Sequence, residues 1–156
     1  MFQRHQVQTI AARMVEDGSP LIQVVVGPRQ TGKSTMLSQA LESVDLERSF
    51  VSADDAIVPS PEWLQTEWQQ ARNMTGNGSR PVVFVVDEVQ KVPHWPTVVK
   101  SLYDADRRTN TPVRVVLSGS SALLLHKGLE DSLMGRFELI RSPHWSLEEC
   151  SQAFGY

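Results

Sequence analysis

Two patterns of apolar positions alternate along this chain. One repeats at helical spacing, as at Val7, Ile10 and Met14, and predicts amphipathic helices. The other is a short apolar run rich in β-branched residues, which is typical of a strand buried on both faces. The runs predict five strands, at 21–26, 50–52, 82–86, 113–118 and 136–140.

The helices predicted between these strands have recognisable ends. The first can be capped by Gly18, and Ser60 followed by Pro61 marks the start of another that runs to about Met74. Because strands that alternate with helices form parallel sheets, we expect an α/β fold. We expect a three-layer sandwich with a mostly parallel five-stranded sheet and helices on both faces. The remaining helices are expected at 34–44, 97–106, 122–125 and 129–134.

A phosphate-binding sequence connects the first strand to its helix. Residues 27–34 match the pattern G-x-x-x-x-G-K-[ST] of the P-loop NTPases. The two glycines allow backbone N–H groups to approach phosphate oxygens closely. Lys33 is expected to reach the β- and γ-phosphates, and the Ser34 hydroxyl to bind Mg²⁺. The residues expected to bind the nucleotide are Gly27, Pro28, Arg29, Gln30, Thr31, Gly32, Lys33, Ser34 and Thr35.

Two carboxylates end the third predicted strand. Five apolar residues at 82–86 precede Asp87 and Glu88, as in a buried strand whose carboxyl end reaches a site at the sheet edge. In P-loop proteins this is the Walker B position. Asp87 is expected to hold Mg²⁺, and Glu88 to act as the base that polarises the attacking water.

Composition limits the class of protein. The chain has 156 residues, 40% of them hydrophobic, and a formal net charge of −3, which fits one domain without a broadly basic surface. No apolar run approaches the roughly 20 residues that span a bilayer, so no membrane partner is expected. The single cysteine, Cys150, fits a reducing cytoplasm. The four histidines show no zinc-ligand spacing.

The motifs together resemble a family, the predicted prokaryotic AAA+ ATPases whose P-loop reads G-P-R-Q-x-G-K-[ST]. The resemblance covers about residues 5 to 150 and rests on four further segments, Asp-Glu-Val-Gln at 87–90, Leu-Ser-Gly-Ser-Ser-Ala-Leu-Leu at 117–124, Met-Gly-Arg-Phe at 134–137 and Pro-His-Trp-Ser at 143–146. In that family a longer C-terminal domain normally follows. The resemblance implies that residues 1–156 form an ATPase core whose C-terminal domain is absent. It also implies homo-oligomers, and a DNA or protein partner bound through the absent region.

The resemblance also implies two further catalytic residues. Ser118, at the end of the fourth strand, occupies the sensor-1 position, where a hydroxyl orients the attacking water or contacts the γ-phosphate. Ser120 is the second candidate, and both belong to a serine-rich segment that could instead cap the next helix. Arg136 lies where AAA+ ATPases carry an arginine finger that reaches a neighbouring subunit's nucleotide. A surface cation near a helix C-terminus is the alternative.

Hydrolysis of Mg-ATP, coupled to conformational change or assembly, is the function that these features favour. A slow ATP/ADP-dependent signalling switch remains an alternative. A small-molecule kinase is a third, although no arginine-rich lid segment is present and adjacent Asp87 and Glu88 suit water activation better. A GTPase is disfavoured because neither D-x-x-G after the third strand nor N-K-x-D occurs.

Overall fold

The computed structural model describes residues 5–15, 21–27, 33–120, 133 and 135–141. All five predicted strands, and the four longer predicted helices, are present in this part. Gly18 and nearly all of the two short helices predicted between 122 and 134 lie outside the described residues. The elements are α1 (His5–Met14), β1 (Ile22–Val26), α2 (Lys33–Glu42), β2 (Glu47–Ser52), α3 (Pro61–Met74), β3 (Val82–Asp87), the 3₁₀ turn η1 (Val89–Lys91), α4 (Trp95–Thr109), β4 (Val113–Gly119) and β5 (Phe137–Arg141).

The five strands form one fully parallel sheet in the order β2-β3-β4-β1-β5. β4 therefore lies between β1, which leads into the P-loop, and β3, which ends at Asp87. Because all strands run in the same direction, their carboxyl ends share one edge, which we call the carboxyl edge. The opposite edge, where the strands begin, is the amino edge.

Helices cover both faces of the sheet, as expected for a three-layer sandwich. On β1, Val24 and Val26 pack in the core cluster that contains Leu64 and Trp68 of α3 and Val99 of α4. The residue between them, Val25, packs in the second cluster with α1 and α2. The two-sided burial explains why every residue of β1 except Gln23 is apolar.

The local sequence accounts for where α3 begins. The Ser60 hydroxyl accepts a hydrogen bond from the backbone N–H of Trp63 at 3.1 Å, which satisfies a donor that the first helical turn leaves unpaired. Pro61 follows as the first helical residue, where its missing N–H costs nothing. The helix then buries Trp68 edge-on against Phe84 of β3, with ring centroids 5.5 Å apart.

Candidate functional site

The parallel sheet brings several of the predicted site residues to its carboxyl edge. Gly27 directly follows β1, and its N–H donates to the carbonyl of Gly119 at the end of β4 at 3.4 Å. In the β1–β4 register, Val25 is paired with Ser118. In the β3–β4 register, Val86 is paired with Leu117. The residues that follow them, Asp87 and Ser118, are therefore neighbours on adjacent strands. Residues far apart in sequence therefore meet beside the P-loop.

The described residues on either side of the P-loop sequence are a strand before it and a helix after it. Gly27 is buried at the end of β1, and Lys33, Ser34 and Thr35 form the first turn of α2. The N-terminus of a helix places unpaired N–H groups and a partial positive charge where phosphate oxygens would bind. The predicted ligands Pro28, Arg29, Gln30, Thr31 and Gly32 lie outside the described residues.

Asp87 is oriented through one of its two oxygens. Its Oδ1 accepts a hydrogen bond of 2.6 Å from the Ser118 hydroxyl and one of 3.0 Å from the Glu88 backbone N–H. Ser118 is fully buried, so its hydroxyl is held in place by the surrounding sheet. Two donors on Oδ1 fix the carboxylate plane, and among the described residues Oδ2 has no hydrogen bond. That oxygen is the one available to a cation or to its water.

This chemistry fits Mg²⁺. A hard divalent ion prefers oxygen ligands, and in nucleotide sites it is held by one or two protein oxygens together with substrate phosphates. Asp87 supplies such an oxygen, and Ser34, the second residue of α2, is the other expected ligand. Within the described ranges no group of three or more His, Cys, Asp or Glu side chains could hold a metal ion.

Glu88 leaves β3 in an unusual backbone conformation. Its backbone φ and ψ angles are 56° and 40°. They lie in the left-handed region, which residues other than glycine rarely adopt. Strain of this kind concentrates at functional sites, where the surrounding structure holds it. Here the next residues form η1, and the Gln90 side-chain amide donates a 2.5 Å hydrogen bond to Glu88 Oε2. The general base predicted from sequence therefore has a partner that sequence reasoning missed.

A second contact that the sequence pattern did not indicate links η1 to the end of β2. Asp54 follows β2 by two residues. Its side chain is half-exposed and forms an ion pair with Lys91. The neighbouring Ala53 N–H also donates to the carbonyl of Asp87 at 3.0 Å. The loop after β2 is thus attached to the segment that carries Asp87 and Glu88.

Arg136 does not join these residues. Its carbonyl accepts a hydrogen bond of 2.8 Å from the N–H of Ile22, the first residue of β1, which places it at the amino edge. The guanidinium forms a two-pronged ion pair with Asp104 of α4, with Nε–Oδ1 at 2.7 Å and Nη2–Oδ2 at 3.1 Å. Hydrogen bonding to Arg136 lowers the pKa of Asp104 below its usual value.

Comparison with known proteins identifies the family of the chain. A family described as an AAA domain matches residues 19–151. No curated protein sequence is significantly similar to the chain. Among the residues that the structure describes, no helix has the length and apolar character needed to cross a bilayer.

Three solved structures share the fold. Cdc6p from Pyrobaculum aerophilum has 12% sequence identity and a TM-score of 0.68, and the match covers 96% of this chain and 47% of that one. Katanin, in a structure that describes its self-assembly, has 19% identity and a TM-score of 0.66, with coverages of 97% and 55%. PCH-2 from C. elegans has 15% identity and a TM-score of 0.61, with coverages of 91% and 43%. The chain spans about half the length of the solved structures it matches.

Proposed function

Because the chain belongs to the AAA domain family, we propose that it binds Mg-ATP and hydrolyses the β–γ phosphoanhydride bond. The observation that carries this proposal is the constellation at the carboxyl edge. Asp87 is oriented by the Ser118 hydroxyl at 2.6 Å, and Glu88 follows it directly. β4, which carries Ser118, lies beside β1, the strand that leads into Gly27. A buried hydroxyl that orients an acid next to a P-loop suits a nucleotide site better than a solvated turn does.

Each residue has a distinct role in the proposed reaction. The P-loop residues 27–35 bind the triphosphate, and Lys33 offsets the charge of the β- and γ-phosphates. Asp87 and Ser34 would hold Mg²⁺, which when bound neutralises charge that develops on the phosphate oxygens. Glu88 accepts a proton from water as the water oxygen bonds to the γ-phosphorus. The bond from phosphorus to the bridging oxygen breaks, and the products are ADP and inorganic phosphate.

Ser118 has a role in this proposal that differs from direct sensing of the γ-phosphate. Its hydroxyl hydrogen is engaged by Asp87 Oδ1, so the residue acts through the carboxylate that holds Mg²⁺. Residues that orient metal ligands in this way commonly contribute a factor of about 10 to 100 to metal affinity or activity. Ser120, the second candidate, makes no such contact with Asp87.

We also propose a cytoplasmic location and a homo-oligomeric assembly, in which hydrolysis is coupled to conformational change or to assembly of a larger protein. The single cysteine supports the first. Katanin, which shares the fold, self-assembles, and this supports the second. A further C-terminal domain beyond the ATPase core, with a DNA or protein partner, belongs to the same proposal and rests on the resemblance of the motifs alone.

Ligand-induced stabilisation tests the binding step. A ligand that binds only the native state stabilises it by about 2.7 kcal/mol at 100 times Kd, which for this length corresponds to a rise in Tm of about 5–10 °C. We expect Mg-ATP to produce such a rise in the wild type. Lys33→Ala should abolish it, because the charge that meets the phosphates is gone.

Lys100→Ala is the matched control, since it removes a lysine from α4, away from the carboxyl edge, and should keep the full rise in Tm. Thermal unfolding followed by differential scanning fluorimetry, with and without Mg-ATP, measures all three proteins. An undiminished rise in Lys33→Ala would contradict the assignment of the P-loop.

A further inference from the structure

The turn that follows Glu88 is anchored to the core. The residues that flank Gln90 and Lys91 in this segment, Val89 and Val92, are both fully buried. Backbone hydrogen bonds from Lys91 N–H to Glu88 O at 3.1 Å and from Val92 N–H to Val89 O at 3.0 Å close the turn. Gln90 therefore projects from a fixed piece of backbone, and its side chain can act as a rigid partner for Glu88.

The contact between the two side chains is short and directional. Gln90 Nε2 donates to Glu88 Oε2 at 2.5 Å, as in charge-assisted hydrogen bonds to a carboxylate. The other end of the same amide, Gln90 Oε1, is buried and has no hydrogen-bond partner among the described residues. A buried acceptor without a partner is unfavourable. The amide keeps this orientation because the reversed one would turn an oxygen towards the carboxylate of Glu88.

The contact matters because a glutamate side chain has three rotatable bonds. A base on such a chain must be held in place before it can take a proton from one particular water. Gln90 occupies Oε2, whereas Oε1 of Glu88 has no hydrogen bond among the described residues. One oxygen is thus used for positioning and the other remains available as the proton acceptor.

We propose that Gln90 is a positioning residue for hydrolysis, which fixes the Glu88 carboxylate through Oε2 and leaves Oε1 to accept the proton of the attacking water. The inference rests on the proposed function, in which Glu88 is the base. Gln90 acts only through Glu88, so its removal should slow the chemical step and leave nucleotide affinity unchanged.

The direct test is Gln90→Met, which keeps the length of the side chain and removes its donor. We expect the single-turnover rate of ATP hydrolysis in the full-length protein to fall by about 10- to 100-fold, the usual cost of misplacing a catalytic group. The Kd for Mg-ATP should stay at the wild-type value. Gln70→Met, on the exposed side of α3, is the matched control and should hydrolyse at the wild-type rate.

A second variant, Gln90→Glu, has a side chain of nearly the same shape. The pH dependence of its hydrolysis rate distinguishes a positioning role for Gln90 from a purely structural one. An ionised carboxyl group at this position cannot donate to Glu88, but a protonated one can. Two facing carboxyl groups share a proton more readily as pH falls. We therefore expect this variant to recover hydrolysis at lower pH, where the wild type shows no such gain. If Gln90→Met does not fold, the pH dependence of Gln90→Glu compared with the wild type tests the role of Gln90.

Glu88→Gln separates failure of this inference from failure of the proposed function. If Glu88→Gln hydrolyses ATP at the wild-type single-turnover rate, the assignment of the base is wrong. If Glu88→Gln is inactive but Gln90→Met matches the wild type, only the role of Gln90 is overturned. The double variant should be no slower than Glu88→Gln alone, because two residues that act as a unit give non-additive losses. Additive losses would show that Gln90 acts independently of Glu88.

Discussion

The two oxygens of Asp87 differ because Oδ1 accepts hydrogen bonds from the Ser118 hydroxyl and the Glu88 N–H, whereas Oδ2 accepts none among the described residues. Ser118 lies on β4, the strand inserted between β1 and β3, and its side chain has no exposure to solvent. Since its 2.6 Å hydrogen bond ends on Oδ1, the carboxylate cannot rotate without leaving a buried hydroxyl unpaired, which costs about 1–3 kcal/mol. Orientation of the acid is thus built into the sheet before any ligand binds.

Removal of this hydroxyl should therefore affect Mg²⁺ more than ATP. We expect Ser118→Ala to raise the Mg²⁺ concentration needed for half-maximal hydrolysis by about 10- to 100-fold. The affinity for ATP measured without Mg²⁺ should change little. A Mg²⁺ titration of the steady-state rate measures the effect. Ser120→Ala is the matched control, and an equal shift in both variants would show that the Asp87 contact is not the cause.

The candidate site residues could be predicted from the sequence only where a motif fixes their spacing. The P-loop and the Asp87-Glu88 pair have fixed spacing because phosphates and Mg²⁺ demand it, and the strands that flank them were identified from apolar runs. Gln90 belongs to the Asp-Glu-Val-Gln segment of the resemblance, but that segment alone does not indicate a contact between Gln90 and Glu88. The contact depends on the left-handed backbone at Glu88, and neither glycine nor asparagine marks that position.

At the scale of elements, boundaries were harder to predict than identities. β2 begins at Glu47, three residues earlier than the apolar run implies, because an edge strand with one exposed side tolerates charged residues. α4 extends from Trp95 to Thr109, beyond the expected 97–106. Pro96 is compatible with a first turn, and the left-handed Asn110 ends the helix.

The packing of α3 against α4 depends on an acid that sequence reasoning did not single out. Asp106 is buried, and its two oxygens accept hydrogen bonds of 2.7 Å each from Trp68 Nε1 and Arg72 Nε. Arg72 also donates to the carbonyl of Leu102 at 3.0 Å. Burial raises the pKa of Asp106 above its usual value, and both donors oppose that rise.

We expect Asp106→Ala to lower the free energy of unfolding by about 3 kcal/mol, because it leaves a cation and an indole N–H without their acceptor. The estimate is at the lower end of the range for buried pairs because the Arg72 side chain keeps 22% exposure. Urea denaturation at neutral pH measures the loss. Asp45→Ala, at an exposed position, should fall within about 0.5 kcal/mol of the wild type. Equal stability of the two variants would contradict the role assigned to Asp106.

At the scale of the whole molecule, the sheet separates Arg136 from the proposed nucleotide site of its own chain. Arg136 precedes β5 at the amino edge, whereas Gly27 lies at the carboxyl edge. The five residues of β1 between these edges span about 16 Å, at roughly 3.3 Å per residue, which is farther than an arginine side chain extends. The motifs predict a catalytic role for Arg136, and the parallel register with Ile22 places it out of reach of the proposed site of its own chain.

An arginine finger at this position must therefore act on the site of a second subunit. We expect Arg136→Ala to bind ATP normally and to hydrolyse it slowly at every protein concentration, whereas wild-type turnover per subunit should rise with concentration. Mixing Arg136→Ala with Lys33→Ala should restore part of the activity, since the first supplies intact P-loops and the second supplies the arginine. Steady-state hydrolysis of the full-length proteins, alone and mixed, measures this.

The ion pair with Asp104 provides the matched control for this experiment. Asp104→Ala breaks the same contact as Arg136→Ala, with its hydrogen bonds of 2.7 and 3.1 Å, but keeps the arginine. If Arg136 serves only as the partner of Asp104, the two variants should lose the same activity and neither should be rescued by Lys33→Ala. If Arg136 completes a neighbouring site, Asp104→Ala should remain active, and only Arg136→Ala should require a partner that brings its own arginine.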